Sequence, residues 1–89
     1  MRKVLLIDDS KTFINVLSML LSKKYNIAGS ANDGNLGYQK YLEIKPDIVL
    51  LDITMPNCNG KECLKKILQT NKNANVIMIS SVGDEKTID

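Results

Sequence analysis

Two four-residue apolar runs, Val4-Leu5-Leu6-Ile7 and Ile48-Val49-Leu50-Leu51, each end at carboxylates, Asp8-Asp9 after the first and Asp52 after the second. Such runs are too short for a helix, and their branched side chains suit strands buried on both faces, the situation found in a parallel sheet. A third run, Val76-Ile77-Met78-Ile79, ends in Ser80-Ser81, and a weaker one, Ile27-Ala28-Gly29-Ser30, leads into the turn residues Asn32-Asp33-Gly34. Helical periodicity fills the intervals. Ser10 is a candidate N-cap for a helix with Phe13, Ile14, Leu17, Leu20 and Leu21 on its apolar face and Lys23-Lys24 at the end that favours cations. A second helix is expected from Asn35 to Ile44 on Tyr38, Tyr41 and Leu42. It is closed by Pro46 and weakened by Gly37, which costs about 1 kcal/mol relative to alanine. After a loop from Met55 to Gly60, the stripe Cys63, Leu64, Ile67 and Leu68 predicts a third helix. Strands alternating with helices over short loops imply right-handed crossovers and one α/β domain.

In open sheets of this kind ligands bind beyond the carboxyl ends of the strands. The residues expected there are Asp8, Asp9, Asp52 and Ser80. Composition narrows their chemistry. The chain has no histidine and two cysteines, which excludes a Ser-His-Asp triad, a Cys-His pair, a phosphohistidine relay and a His/Cys zinc site. Lys plus Arg at 12 against Asp plus Glu at 10 leaves a net charge of +2, too balanced to point to nucleic acid or an anionic membrane as a partner. No apolar stretch approaches the roughly 18 residues of a membrane span. Cys58 and Cys63 read as a loop residue and a small core residue, and a reducing cytoplasm is the simplest setting.

Three carboxylates converging from two strands repel one another by several kcal/mol at a partly screened dielectric. Arg2 and Lys3 lie at the far end of the first strand. A hard divalent cation, Mg²⁺, is therefore the expected counter-charge, with the acids as oxygen ligands. A carboxylate beside such an ion can accept a phosphoryl group by in-line attack on phosphorus. Asp52, alone at its strand end between Leu51 and Ile53, is the expected nucleophile, and adjacent Asp8 and Asp9 the metal ligands. The Ser80 hydroxyl could donate a hydrogen bond to a phosphoryl oxygen in one of two states.

The acidic pair, the string Asp52-Ile53-Thr54-Met55-Pro56 continuing to Asn59-Gly60, and Ser80 after the fourth strand together resemble the receiver domain of two-component response regulators. The likeness covers the whole chain, residues 1–89 read as a single receiver domain. It implies a flavodoxin-like doubly wound parallel sheet with strand order 2-1-3-4. It also implies that Asp52 takes its phosphate from a sensor histidine kinase or phosphotransfer protein, and that the Thr54 backbone carbonyl joins Asp8, Asp9 and Asp52 around Mg²⁺. Ser80 takes the position of the family's switch hydroxyl. The domain would be a cytoplasmic signalling module rather than an enzyme, at most catalysing its own phosphorylation and dephosphorylation. The family's fifth strand, with its terminal lysine, and its final helix find no counterpart here. The expectation is a partial domain of four strands, three helices and the opening of a fourth near Gly83 to Asp89. On that reading the fourth strand is an open edge, apolar sheet is uncovered on the first helix's side, and self-association or element swapping follows.

Other readings stay open. Asp8-Asp9-Ser10 could be helix capping alone. A degenerate receiver would keep the acids and act by binding partners without phosphorylation. A haloacid-dehalogenase-like phosphohydrolase also uses a strand-end aspartate, but its general acid would stand where this chain has Thr54. A flavin carrier shares the topology but would want a less acidic first turn.

Overall fold

The computed structural model describes residues 1–53 and 60–79. The element order is β1 (Lys3–Ile7), α1 (Lys11–Leu21), β2 (Asn26–Ala31), α2 (Gly34–Ile44), β3 (Ile48–Asp52), α3 (Gly60–Thr70) and β4 (Val76–Ile79). Thr54, Ser80 and the expected start of a fourth helix lie outside the described residues.

All strand pairs are parallel, in the order β2-β1-β3-β4. The two runs that end in acids are the two central strands, which is why neither needs a polar face: Val4 to Ile7 are all buried, as are Val49 and Leu51. Ile7 pairs with Leu51, so Asp8 and Asp52 leave the sheet side by side. The register of β1 against β2 shifts between Val4 and Leu5, with Ala28 as the extra residue. Beyond the shift the ladder runs on to a hydrogen bond from the Asp8 amide to the Ala31 carbonyl (2.9 Å).

One face of the sheet carries most of the core. Leu5, Ile7, Val49 and Leu51 pack with Ala31, with Tyr41 of α2 and with Cys63 and Ile67 of α3. The expected tyrosine face of α2 is confirmed for Tyr41 and half-buried Tyr38, but Leu42 is exposed, as is Leu68 of α3. Gly37 answers its own propensity cost, because a Cβ there would lie 2.6 Å from Ile7 Cδ1. A hydroxyl contact ties the two helices: Tyr38 Oη and Thr70 Oγ1 are 2.6 Å apart. Because Thr70 gives its own proton to the Lys66 carbonyl (3.0 Å), Tyr38 is the donor.

The α1 side is thinner. No α1 residue is fully buried, and Leu20, expected on the apolar face, is 66% exposed beside exposed Val16 and Met19. Leu21 is half-buried, whereas Leu20, about 100° round the helix from it, faces outward. Leu21 and Tyr25 line a small apolar groove with Val4, Ile48, Leu50 and Ile77. Lys23 and Lys24 fall beyond the helix end, where Ser22 is the C-cap.

Ser10 caps α1 as expected: its Oγ accepts the Phe13 amide (3.1 Å). Ser10→Ala removes that acceptor and is expected to lower stability by about 1 kcal/mol in a denaturant titration. The Ser10 amide, which binds Asp8, remains in the variant, so metal affinity should be unchanged.

Candidate functional site

Asp8 and Asp52 occupy the carboxyl ends of adjacent central strands because an apolar run in a buried strand must stop where its side chains meet solvent or a polar partner. Both are nonetheless almost fully buried, at 1% and 0% exposure, while Asp9 is exposed. One carboxylate oxygen of each of the three lies within 4.8 Å of the others. The three acids expected to converge therefore do so.

The capping account explains half of Asp8. Its Oδ1 accepts the Ser10 amide at 2.8 Å, a local turn that sets up the helix start. Among the described residues its Oδ2 is buried and has no hydrogen-bond donor. A buried carboxylate oxygen without a donor costs about 1–3 kcal/mol or more, and here the neighbouring groups are further carboxylates, acceptors like itself. Asp8 and Asp52 could share a hydrogen bond only with a proton between them. A hard cation satisfies all three acids at once, and an oxygen-only donor set fits Mg²⁺ rather than zinc or copper.

The same environment raises the Asp8 carboxyl from its ordinary 3.8 to about 6. Burial is the main cause. The Ser10 amide pulls the other way, and the charge of Asp52, a hydrogen bond that protonated Asp8 can give to it, and then the charge of Asp9 add to the rise. A carboxyl whose folded value lies above its unfolded one binds more protons when folded, so its contribution to stability is present below pH 4 and is lost as pH rises through 6. Metal-free protein is expected to lose on the order of 3 kcal/mol from this group between pH 4 and 7. Thermal unfolding in chelator should show a higher midpoint at pH 5 than at pH 7.5, and saturating Mg²⁺ should close the gap.

Beside the acids a cleft of about 380 Å³ opens between the start of α1 and the β2–α2 turn. Its polar lining includes Asp8, Asp9, Lys11 and Asn15, and its apolar walls include Ile14 and Leu36. Lys11 and Asn15 went unnoticed in the sequence, where they read as solvated positions of an amphipathic helix. Gly60, expected in the loop, is instead the first residue of α3 and is buried. Ser80 and Thr54, the other expected site residues, lie outside the described residues.

A parallel sheet in the order 2-1-3-4, with acids at the carboxyl ends of its central strands, defines a flavodoxin-like doubly wound domain built around an acidic site. Residues 4–89 match the response regulator receiver domain, and the chain belongs to that family. It is 38% identical over 88 residues to the chemotaxis protein CheY of Thermotoga maritima, covering 98% of this chain and 73% of that one. Against CheY of Treponema pallidum it is 40% identical over 89 residues, covering 97% of this chain and 62% of the relative. Among solved structures, a chain of the CheX–CheY–BeF3–Mg²⁺ complex from Borrelia burgdorferi superposes with a TM-score of 0.84 at 41% identity. That match covers 98% of this chain and 67% of the other. The response regulator domain of Thermotoga maritima CheB gives a TM-score of 0.85 at 38% identity, covering 99% and 69%. Among the described residues no helix is long and apolar enough to cross a membrane.

Proposed function

We propose that Asp52 is the phosphoacceptor of a signalling switch, in a Mg²⁺-dependent reaction whose donor is the phosphohistidine of a sensor kinase or phosphotransfer protein in the cytoplasm. An Asp52 carboxylate oxygen attacks phosphorus in line, the phosphorus–nitrogen bond breaks, and the donor imidazole leaves with the bonding pair and takes up a proton. The product is an aspartyl phosphate. Asp8 and Asp9, with Asp52 and the Thr54 backbone carbonyl, would hold the ion. Bound there, Mg²⁺ would offset charge on the transferring group. The Ser80 hydroxyl would donate to a phosphoryl oxygen and carry the change to partner-binding surfaces.

The observation that carries this reading is the buried Oδ2 of Asp8, which among the described residues has no donor and lies within reach of two further carboxylates. A structural acid would have found a donor, and a capping acid needs only Oδ1. A relative crystallised with BeF3, which imitates a phosphoryl group, and Mg²⁺ supports it.

Acetyl phosphate tests the reading without a kinase. Mass spectrometry should find one phosphoryl group per chain, on Asp52, with Mg²⁺ and none in chelator. Mg²⁺ binding without labelling would instead leave a receiver that acts by binding alone.

A further inference from the structure

We infer that Gly60 is a positioning residue for Asp52: its missing side chain lets the first turn of α3 rest on the peptide that follows the phosphoacceptor and hold it in place. The inference rests on the reading of Asp52 as the acceptor in a metal site.

A Cβ added at Gly60 would lie 2.4 Å from the Asp52 carbonyl oxygen, 2.6 Å from Ile53 Cα and 3.1 Å from the Asp52 carbonyl carbon. All three atoms are backbone, and all belong to one peptide unit. The other end of that unit is also held, since the Ile53 amide donates to the Ile79 carbonyl of β4 at 3.1 Å. The Asp52–Ile53 peptide is therefore clamped between β4 on its N–H side and α3 on its C=O side.

Backbone conformation does not demand a glycine here. Gly60 has no positive φ, it opens a helix where glycine is rarely favoured, and alanine is the better helix former. Close approach is what demands it. The other tight glycines differ in kind: a Cβ at Gly29 would meet Ile44 Cδ1 at 2.7 Å, the far end of a flexible side chain that can rotate away. At Gly60 relief requires that α3 lift or the Asp52 peptide tilt. Either moves the carboxylate against Asp8 and Asp9, and a misplacement of about 1 Å at a reacting group can cost about a hundredfold.

The test compares Gly60→Ala with Gly29→Ala in Mg²⁺ titrations by calorimetry and by amide NMR. Gly60→Ala is expected to weaken Mg²⁺ binding at least tenfold, whereas Gly29→Ala loses stability and keeps the wild-type affinity within about twofold. In the unaltered chain the Gly60 and Ile53 amide resonances should move along the same binding curve as those of Asp8 and Asp9. A folded Gly60→Ala protein with wild-type affinity would overturn the inference. If that variant does not fold, a Gly60 amide that stays still during titration of the unaltered chain overturns it equally. Wild-type protein that takes up no Mg²⁺ would instead bring down the metal reading itself, and this inference with it.

Discussion

Asp52→Asn should reduce phosphoryl labelling by acetyl phosphate to background while leaving a folded protein. The amide matches the carboxylate in shape, so the buried end of β3 keeps its packing, but its oxygen is a far weaker nucleophile and carries no charge to attract the metal. The effect is expected to be all or none for labelling. Stability in chelator should hold or rise, because one of three mutually repelling charges has gone. Intact-mass analysis after acetyl phosphate treatment, read beside thermal unfolding of the same sample, checks both halves. Labelling of the variant at the wild-type level would remove Asp52 from the acceptor role and return attention to Asp8 or Asp9. An unfolded variant would show that the carboxylate is needed for structure, contrary to the account above. Asp9→Asn is the informative companion, since Asp9 is exposed and offers its oxygen from the solvent side. It should weaken Mg²⁺ binding without abolishing labelling at high Mg²⁺.

How much of this was readable beforehand depends on which physical rule governed each element. The central strands were legible because a branched apolar run with no polar alternation has only one comfortable place, between two covered faces, and β1 and β3 occupy it. Their terminal acids followed from the topology, and so did their convergence. Ser10 was legible because capping is a local bargain between a hydroxyl and an amide three residues on.

What failed to show was tertiary. Helical period gives the direction of an apolar stripe but not the depth of cover above it, so Leu20, Leu42 and Leu68 were expected inward and are exposed. Among the described residues β4 is the outer strand, with Ile77 and Met78 both exposed, although the Val76–Ile79 run has the same unbroken apolar character as the central strands. The open edge was foreseen from the family pattern, not from the run itself. Gly37 looked like a flaw in a helix because propensity scores a residue against water, and Gly60 read only as the end of a loop. Each is set by a neighbour distant in sequence, Ile7 in one case and the Asp52 peptide in the other. The shift in register at Ala28 had no signal at all in a short strand of small residues.

Asp8→Asn is expected to separate the two demands placed on one side chain. Its Oδ1 can be replaced by the amide oxygen, which still accepts the Ser10 amide and preserves the turn into α1. At the Oδ2 position the variant places an NH2, which converts a donorless acceptor beside Asp52 into a donor facing a carboxylate. The metal-free variant should therefore be more stable than wild type at pH 7, by on the order of 2–3 kcal/mol, the size of the penalty implied by a carboxyl raised to about 6. The fall in stability between pH 5 and 7.5 should flatten. Mg²⁺ affinity should drop at least a hundredfold, since a charged ligand is lost and the replacement presents hydrogens to the ion. Denaturant titrations in chelator and in saturating Mg²⁺ measure both effects, with opposite signs expected: the variant wins without metal and loses its metal-linked gain. A variant less stable than wild type in chelator would mean that the Asp8 carboxylate already has a compensating partner, and the case for a cation between these acids would lose its footing.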